Sequence, residues 1–319
     1  MVVGNETSYT DFILLGFSNL IQFHTLLFTV LFGIYCMTLV GNIVIILVTC
    51  LNPHLHKPMY FFLGNLSFLD ICYTSSTVPK MLETLLFDEM TISYSGCVGQ
   101  LYLFVSFVGT ECVLLAVMSY DRFVAICNPL LYNIVMKSSV CLELATFSWV
   151  SGFMNSALHT ALVFRLPFCF SNKINYFFCD IPPLLSIACG DTSLNKLMLL
   201  VTGVFIACTP CLCIIISYIF IITSILKIRS VNGRRKAFST CASHITVVVL
   251  FYGSCIFNYL QTFSSNTLDK DHLLSALYSF VTPMLNPIIY TLKNQEVTQA
   301  LKKTFLSKWF PPVSPVENL

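Results

Sequence analysis

The stretch MSYDRFVAICNPLLY, Met118–Tyr132, sets an acid and a base side by side, Asp121 and Arg122, at the end of a mostly uncharged segment that begins near Cys97. Two charges at the end of an apolar run of about twenty residues are costly unless they lie at a membrane edge or pair. One reading is an anchor, in which Arg122 snorkels to the headgroups and Asp121 is solvated. The other is a switch at the end of a membrane helix, and the rest of the chain has to decide between them.

Composition makes the membrane reading general. Of 319 residues, 56% are hydrophobic and only 10% charged, against about one quarter charged in soluble domains. The chain reads as an integral membrane protein. A net charge of +2, with the bases spread among loops, offers no basic stripe for nucleic acid. The first 22 residues lack the basic start and cleavage site of a signal peptide, and Phe12–Phe17 is too short to span. The first true span is expected to act as its own signal.

Apolar runs long enough to cross a bilayer fall at about His24–Leu51, Pro58–Phe87, Gly96–Ile126, Val140–Leu166, Asn195–Ile228, Ala237–Phe263 and His272–Leu292. The fold class is therefore an all-α membrane protein, a bundle of seven transmembrane helices in one domain. Residues 1–23 precede it as an N-terminal segment, 24–292 form the bundle and 293–319 the tail. With the N-terminus outside, twelve of the 17 lysines and arginines share one face. Only Lys80, Arg165, Lys173, Lys196 and Lys270 fall on the other, which predicts a cytoplasmic basic face. On this topology Asn5-Glu6-Thr7 is a glycosylation acceptor. In the tail, Val297, Ala300, Leu301 and Phe305 recur at helical spacing with Lys302 and Lys303 opposite, predicting a short amphipathic helix over Asn294–Leu306.

The same topology sets four of the 15 cysteines, Cys97, Cys169, Cys179 and Cys189, on the oxidising side. Three lie in the one long connection, Pro167–Leu194. Four cysteines allow three pairings. A bridge from Cys97 to the long loop would pin that loop over the bundle mouth; the alternative is buried free thiols acting as small hydrophobes.

Several stretches together resemble the odorant receptors, a branch of the rhodopsin-like G-protein-coupled receptors. They are Gly41-Asn42, LHKPMYFFLGNLSFLD (Leu55–Asp70), MSYDRFVAICNPLLY, Ser217-Tyr218, KAFSTCASH (Lys236–His244) and PMLNPIIYTLKN (Pro283–Asn294). The resemblance covers essentially the whole chain. The third- and sixth-helix blocks, in that order and spacing, are its most specific parts. It departs from the usual pattern at Ser119, Phe123 and Lys293, and Phe123 bears on coupling efficiency or basal activity. The resemblance implies a plasma-membrane receptor of sensory cilia that detects small volatile molecules. It also implies activation of a heterotrimeric stimulatory G protein that raises cyclic AMP.

It also implies roles for particular residues. Asp121 would hold Arg122 at rest, and outward movement of the sixth helix would free the arginine to meet the G protein or Tyr218. Tyr290 would move in the same step, with Lys236 and His244 at the moving end of the sixth helix. Asp70 and Glu111 are acids deep in apolar spans, so each is expected protonated or partnered, in a cluster with Asn42, Ser67 and Asn286. The resemblance sets the two acids at a sodium site, whose hard oxygen ligands suit that cation; the plainer reading is a hydrogen-bonded packing network. No other cofactor is expected. Pro283 and Pro287 interrupt the seventh helix and Pro210 the fifth.

The ligand cavity is expected between helices in the outer half of the bundle. Helical spacing, with the family pattern as register, turns inward Phe104, Val105, Val108 and Gly109, then Thr202 and Ile206. Tyr252, Cys255, Ile256 and Tyr259 follow from the sixth helix, and Ala276 and Ser279 from the seventh. Plain helix packing produces the same stripe. There is no acid near Phe104 for an amine and no seventh-helix lysine before Lys293 for retinal. A small, neutral, largely apolar ligand fits, oriented by one or two hydroxyls. Its burial at about 25 cal/mol per Å², less the cost of immobilisation, implies weak binding and broad tuning. The residues offer no phosphate-cradling loop, zinc spacing or nucleophile triad, so an enzyme is excluded. A channel or transporter using Asp70 and Glu111 is the competing class, and within receptors the alternative is a non-olfactory chemosensor.

Overall fold

The computed structural model describes residues 11–87, 90–169, 171–263, 280–291 and 294–306; the side chains at 19, 236, 240, 257–263, 295, 305 and 306 fall outside that description. The first bundle helix, α1 (His24–Leu51), ends where Asn52 turns extended ahead of Pro53, as the steric demand of the following proline requires. Its successor α2 (Pro58–Phe87) begins on a proline, whose missing N–H costs nothing at a first turn.

The central helix, α3 (Tyr94–Cys127), is capped by Ser93, whose hydroxyl accepts from the Gly96 N–H at 3.1 Å. At 34 residues it runs about 50 Å, more than a bilayer core. A single turn, α4 (Tyr132–Val135), then leads into α5 (Ser138–Phe164), and α6 (Ile181–Ile187) lies in the long connection. The fifth bundle helix is built from α7 (Ser193–Gly203), a π turn (Val204–Cys208) and α8 (Thr209–Leu226). The wide turn lies just before Pro210, which has no N–H to give and would clash with the carbonyl one turn back. Thr209 takes up part of the slack, its hydroxyl donating to the Val204 carbonyl at 2.9 Å.

The remaining helices are α9 (Val231–Phe263), α10 (280–291) and α11 (Gln295–Leu301). Seven of these stretches, α1, α2, α3, α5, α7–α8, α9 and α10, make the bundle. Among the described residues, Leu20–Leu51, Tyr94–Cys127, Ser193–Leu226 and Val231–Ile256 are each long and apolar enough to cross a membrane. α2 and α5 carry more hydroxyl side chains and pack in the same bundle.

α3 is the hub, packed most extensively on α5 and α8. The α3–α5 crossing is close because Gly152 leaves room. A Cβ there would lie 2.5 Å from the Ser106 carbonyl oxygen. Gly41 does the same for α1 against α10, where a Cβ would meet Pro287 Cγ at 2.8 Å.

One end of the bundle carries a three-stranded sheet that the sequence reading did not anticipate. β1 (Asp11–Leu14) runs antiparallel to β2 (Thr91–Ser93) and parallel to β3 (Lys173–Ile174), in the order β2-β1-β3. Phe12 and Leu14 point inward and are fully buried, so the short apolar run became a strand. The structure pairs Cys97 with Cys179 and Cys169 with Cys189, with Cα separations of 5.5 and 5.7 Å. The first bridge ties the long connection to the top of α3. At the opposite, basic end, α11 is N-capped by Asn294 and buries Val297 and Ala300, while Lys302 and Lys303 stay exposed. That is the amphipathic pattern read from the sequence.

Candidate functional site

Beneath the sheet, aromatic side chains close the bundle. Phe178, one residue before the bridged Cys179, packs on Phe104 at 4.8 Å and on Phe280 at 6.1 Å between ring centroids. Tyr73 stacks on the other side of Phe104 at 5.5 Å. The Cys179 N–H donates to Gln100 Oε1 at 2.9 Å, which fixes this plug to α3. Phe104, expected to line the cavity, is therefore committed to the packing of its cover.

Deeper along α3, the expected lining residues converge on two side chains of α5 that carried no role in the sequence reading. His159 Nε2 lies 2.7 Å from the Thr202 hydroxyl. One turn away, a Cβ at Gly109 would lie 3.5 Å from Ile206 Cγ2 and 3.8 Å from Asn155 Nδ2. Gly109, Thr202, Ile206, Asn155 and His159 thus meet between α3, α5 and α7. His159 is 2% exposed. A lone histidine in an apolar span was the only signal available for it.

Val105 and Val108 are half-buried beside this group, and Tyr252 and Cys255 reach toward α3 from α9. The Tyr252 hydroxyl donates to the Cys112 carbonyl at 3.5 Å. Ile256 departs from expectation: at 58% exposure it stands outside the packed interior, although helical spacing puts it one turn beyond Tyr252. The side chain of Tyr259, and Ala276 and Ser279, lie outside the described residues, as do Asn5 and the side chain of Lys236.

At mid-bundle, Asn286 Nδ2 donates to both oxygens of Asp70, at 2.9 and 3.2 Å. Asp70 and Glu111 are both buried, and Glu111 acts electrostatically on Asp70. Asn42 is not a partner of Asp70; its amide donates to the Thr38 and Pro283 carbonyls at 3.0 and 3.1 Å. The Pro283 contact bonds a carbonyl of the proline-interrupted seventh helix. Glu111 Oε1, Asn42 Oδ1 and Asn286 Oδ1 are buried without hydrogen-bond partners among the described residues. Hard, unsatisfied oxygens of this kind suit a small cation.

The basic end corrects the expected pairing of the acid and the arginine. Asp121 Oδ1 accepts from the Tyr132 hydroxyl at 2.8 Å, and no ion pair joins Asp121 to Arg122 among the described residues. Adjacent residues on a helix point about 100° apart, which sends Asp121 to α4 and Arg122 to the interior. Arg122 is buried, with Nη2 in no hydrogen bond among the described residues. Its charge is felt at Tyr218, Cys241, His244 and Tyr290. Tyr218 and His244 bond each other, hydroxyl to Nδ1 at 2.8 Å, with stacked rings. The hydroxyl of Tyr290 is buried without a hydrogen-bond partner among the described residues. Arg122 therefore stands between the fifth, sixth and seventh bundle helices, in no ion pair among the described residues, while its charge still acts on Asp121.

A seven-helix bundle with a buried arginine at the basic end of its central helix and an aromatic plug at the other has the architecture of the rhodopsin-like receptors. The crystal structure of squid rhodopsin superposes with a TM-score of 0.70, covering 87% of this chain and 79% of that one at 17% identity, a likeness of fold. A family model for olfactory receptors matches residues 31–308. Human olfactory receptor 2G3 is 47% identical over 308 residues, 97% of this chain and 100% of its own. Human olfactory receptor 10A5 is 49% identical over 306 residues, 96% of each. The chain belongs to the olfactory receptor family. It is accordingly a plasma-membrane receptor for small molecules that couples to G proteins, and not an enzyme.

Proposed function

We propose that this receptor binds small, neutral, mostly apolar volatile molecules in the outer half of its bundle, with the N-terminus outside and Asn5 glycosylated. Ligand binding activates a stimulatory G protein, raising cyclic AMP in the cilia of sensory neurons. The observation that supports this most is the character of the group between α3, α5 and α7. Gly109, Val105, Val108 and Ile206 supply apolar surface, and the polar handles there, Thr202, His159 and Asn155, are hydrogen-bonding groups without a carboxylate or ammonium among the described residues. Such a site rewards an apolar body with one acceptor or donor. Tyr259, Ala276 and Ser279 complete the lining in this reading.

In the resting receptor Asp70 and Glu111 would hold a sodium ion, with Asn286 beside them. The ion would offset two buried negative charges that otherwise favour protonation. Ligand binding biases the bundle toward the arrangement that presents Arg122, with Tyr218, His244, Lys236 and Tyr290, to the G protein.

The test is cyclic AMP in cells expressing the chain with a stimulatory G protein, screened against neutral odorants, amines and carboxylic acids beside empty-vector cells. Responses to neutral apolar compounds are expected. Responses confined to charged compounds would overturn the pocket reading, and silence with verified surface expression would overturn the coupling reading.

A further inference from the structure

At the basic end, an open groove of about 1100 Å³ runs between α1, α2 and α5 and is floored by the connection holding α4. Its wall is apolar and faces outward from the bundle. Phe61 and Phe68 are 40% and 53% exposed there, with Gly64 between them leaving the surface concave. Its rim carries Lys57, Lys137 and His56, with Glu296 beside Lys57 as the acid at its edge.

The lysines differ in availability. Lys57 already pairs with Glu296 at 2.7 Å, whereas Lys137 makes no ion pair among the described residues. Lys137 is also the N-cap of the 27-residue α5, and no side chain caps that helix. The first N–H groups of α5 and the partial positive charge of its dipole thus open beside Ser138 on the same rim. An outward-facing apolar trough ending in positive charge at Lys137 and the α5 N-terminus is complementary to one kind of molecule.

We propose that this groove is a binding site for an anionic phospholipid of the inner leaflet. One acyl chain lies along Phe61, Gly64 and Phe68, and the phosphate-bearing headgroup meets Lys137, Lys57 and the α5 N-terminus. The leaflet assignment rests on the orientation proposed above; the binding itself does not. A sterol would fill the trough but would leave the basic rim unanswered. The floor residues Asn133 and Met136 lie on the connection that carries Tyr132, the partner of Asp121, so an occupied groove braces that loop.

The experiment is native mass spectrometry of the intact, detergent-purified receptor offered phosphatidylserine, phosphatidylcholine or cholesterol, with size-exclusion profiles confirming that each variant is folded. Phosphatidylserine should be retained in preference to phosphatidylcholine. Lys137→Gln should weaken its retention about fivefold, the effect of one basic residue at a charged membrane surface. Gly64→Phe, which fills the trough without touching charge, should weaken it comparably. The control pair Arg234→Gln/Arg235→Gln, on exposed positions of α9 away from the groove, should leave it unchanged. Equal retention of the two phospholipids, an equal loss in the control pair, retention of cholesterol alone, or no retained lipid would each overturn the proposal.

Discussion

The hydroxyl of Tyr132 donates to Asp121 across eleven residues at 2.8 Å, and this contact leaves Arg122 without its neighbouring acid. Burial pushes the Tyr132 phenol further above its ordinary range, and the Asp121 carboxylate adds to that effect. The tyrosine therefore stays a donor at all physiological pH. The loop, by engaging Asp121, determines how free the arginine is.

Removing that donor should return Asp121 to Arg122. Tyr132→Phe is expected to lower basal cyclic AMP and raise the half-maximal agonist concentration by roughly ten- to 150-fold, the worth of one charge-assisted hydrogen bond. Arg122→Ala should abolish signalling at normal surface expression. Unchanged dose-response curves in Tyr132→Phe, or a normal response in Arg122→Ala, would remove the switch assignment.

The pocket reading predicts effects on potency without loss of delivery. Val105→Trp fills space beside Gly109, and His159→Phe deprives the Thr202 hydroxyl of its partner. Each should shift agonist potency by about tenfold or more. Identical curves for both variants and wild type, at matched surface levels, would put the ligand elsewhere.

Helix crossing at Gly152 has little slack. Gly152→Val sets a branched side chain against Ser106 and Thr110 of α3, an overpacking that typically costs about 1–3 kcal/mol and more when backbone must move. Surface delivery, read by flow cytometry of an epitope-tagged receptor, should fall several-fold, whereas Gly152→Ala should fall less. Wild-type delivery of the valine variant would mean that α3 and α5 cross elsewhere.

The loop acid Asp180 predicts a pH dependence. It caps α6 through the Ile181 N–H at 2.7 Å, yet burial pushes its carboxyl up to about 6. The folded value lies above that of an unfolded aspartate, about 3.9, so the folded receptor binds the proton more tightly. Its contribution to stability is complete below pH 4 and is lost as pH rises through 6. The thermal midpoint of purified receptor should therefore climb by a few degrees from pH 7 to pH 5, an increase that Asp180→Asn abolishes. A midpoint that falls toward acid equally in both proteins would refute the assignment.

Much of the bundle was legible in the sequence. α1 and α2 cover His24–Leu51 and Pro58–Phe87 as the apolar runs do, and Val297 and Ala300 turn inward from α11, each for reasons contained within its own segment. The candidate site was legible only in part. Gly109, Thr202 and Ile206 do meet, but they do so around Asn155, which nothing in its own helix distinguished, and His159, marked only as a lone histidine in an apolar span. The surroundings of Phe104 and Ile256 were not legible, because a periodic stripe shows which face is apolar and not which neighbour covers it. Phe104 is packed by Phe178 from a loop, and Ile256 is 58% exposed.

By itself the sequence determined the seven membrane spans, the segregation of basic residues to one end, the amphipathic tail and the receptor family. These follow from transfer free energies and backbone preferences that accumulate residue by residue along a helix, independent of what lies across from it. Only the tertiary structure decided the partners: Tyr132 for Asp121, His159 for Thr202, Asn286 for Asp70, Cys179 for Cys97, and β1 between β2 and β3. Those choices depend on how each helix is rotated and how closely it crosses its neighbours. Contacts such as Gly152 against Ser106 set that geometry jointly, between segments distant in the chain.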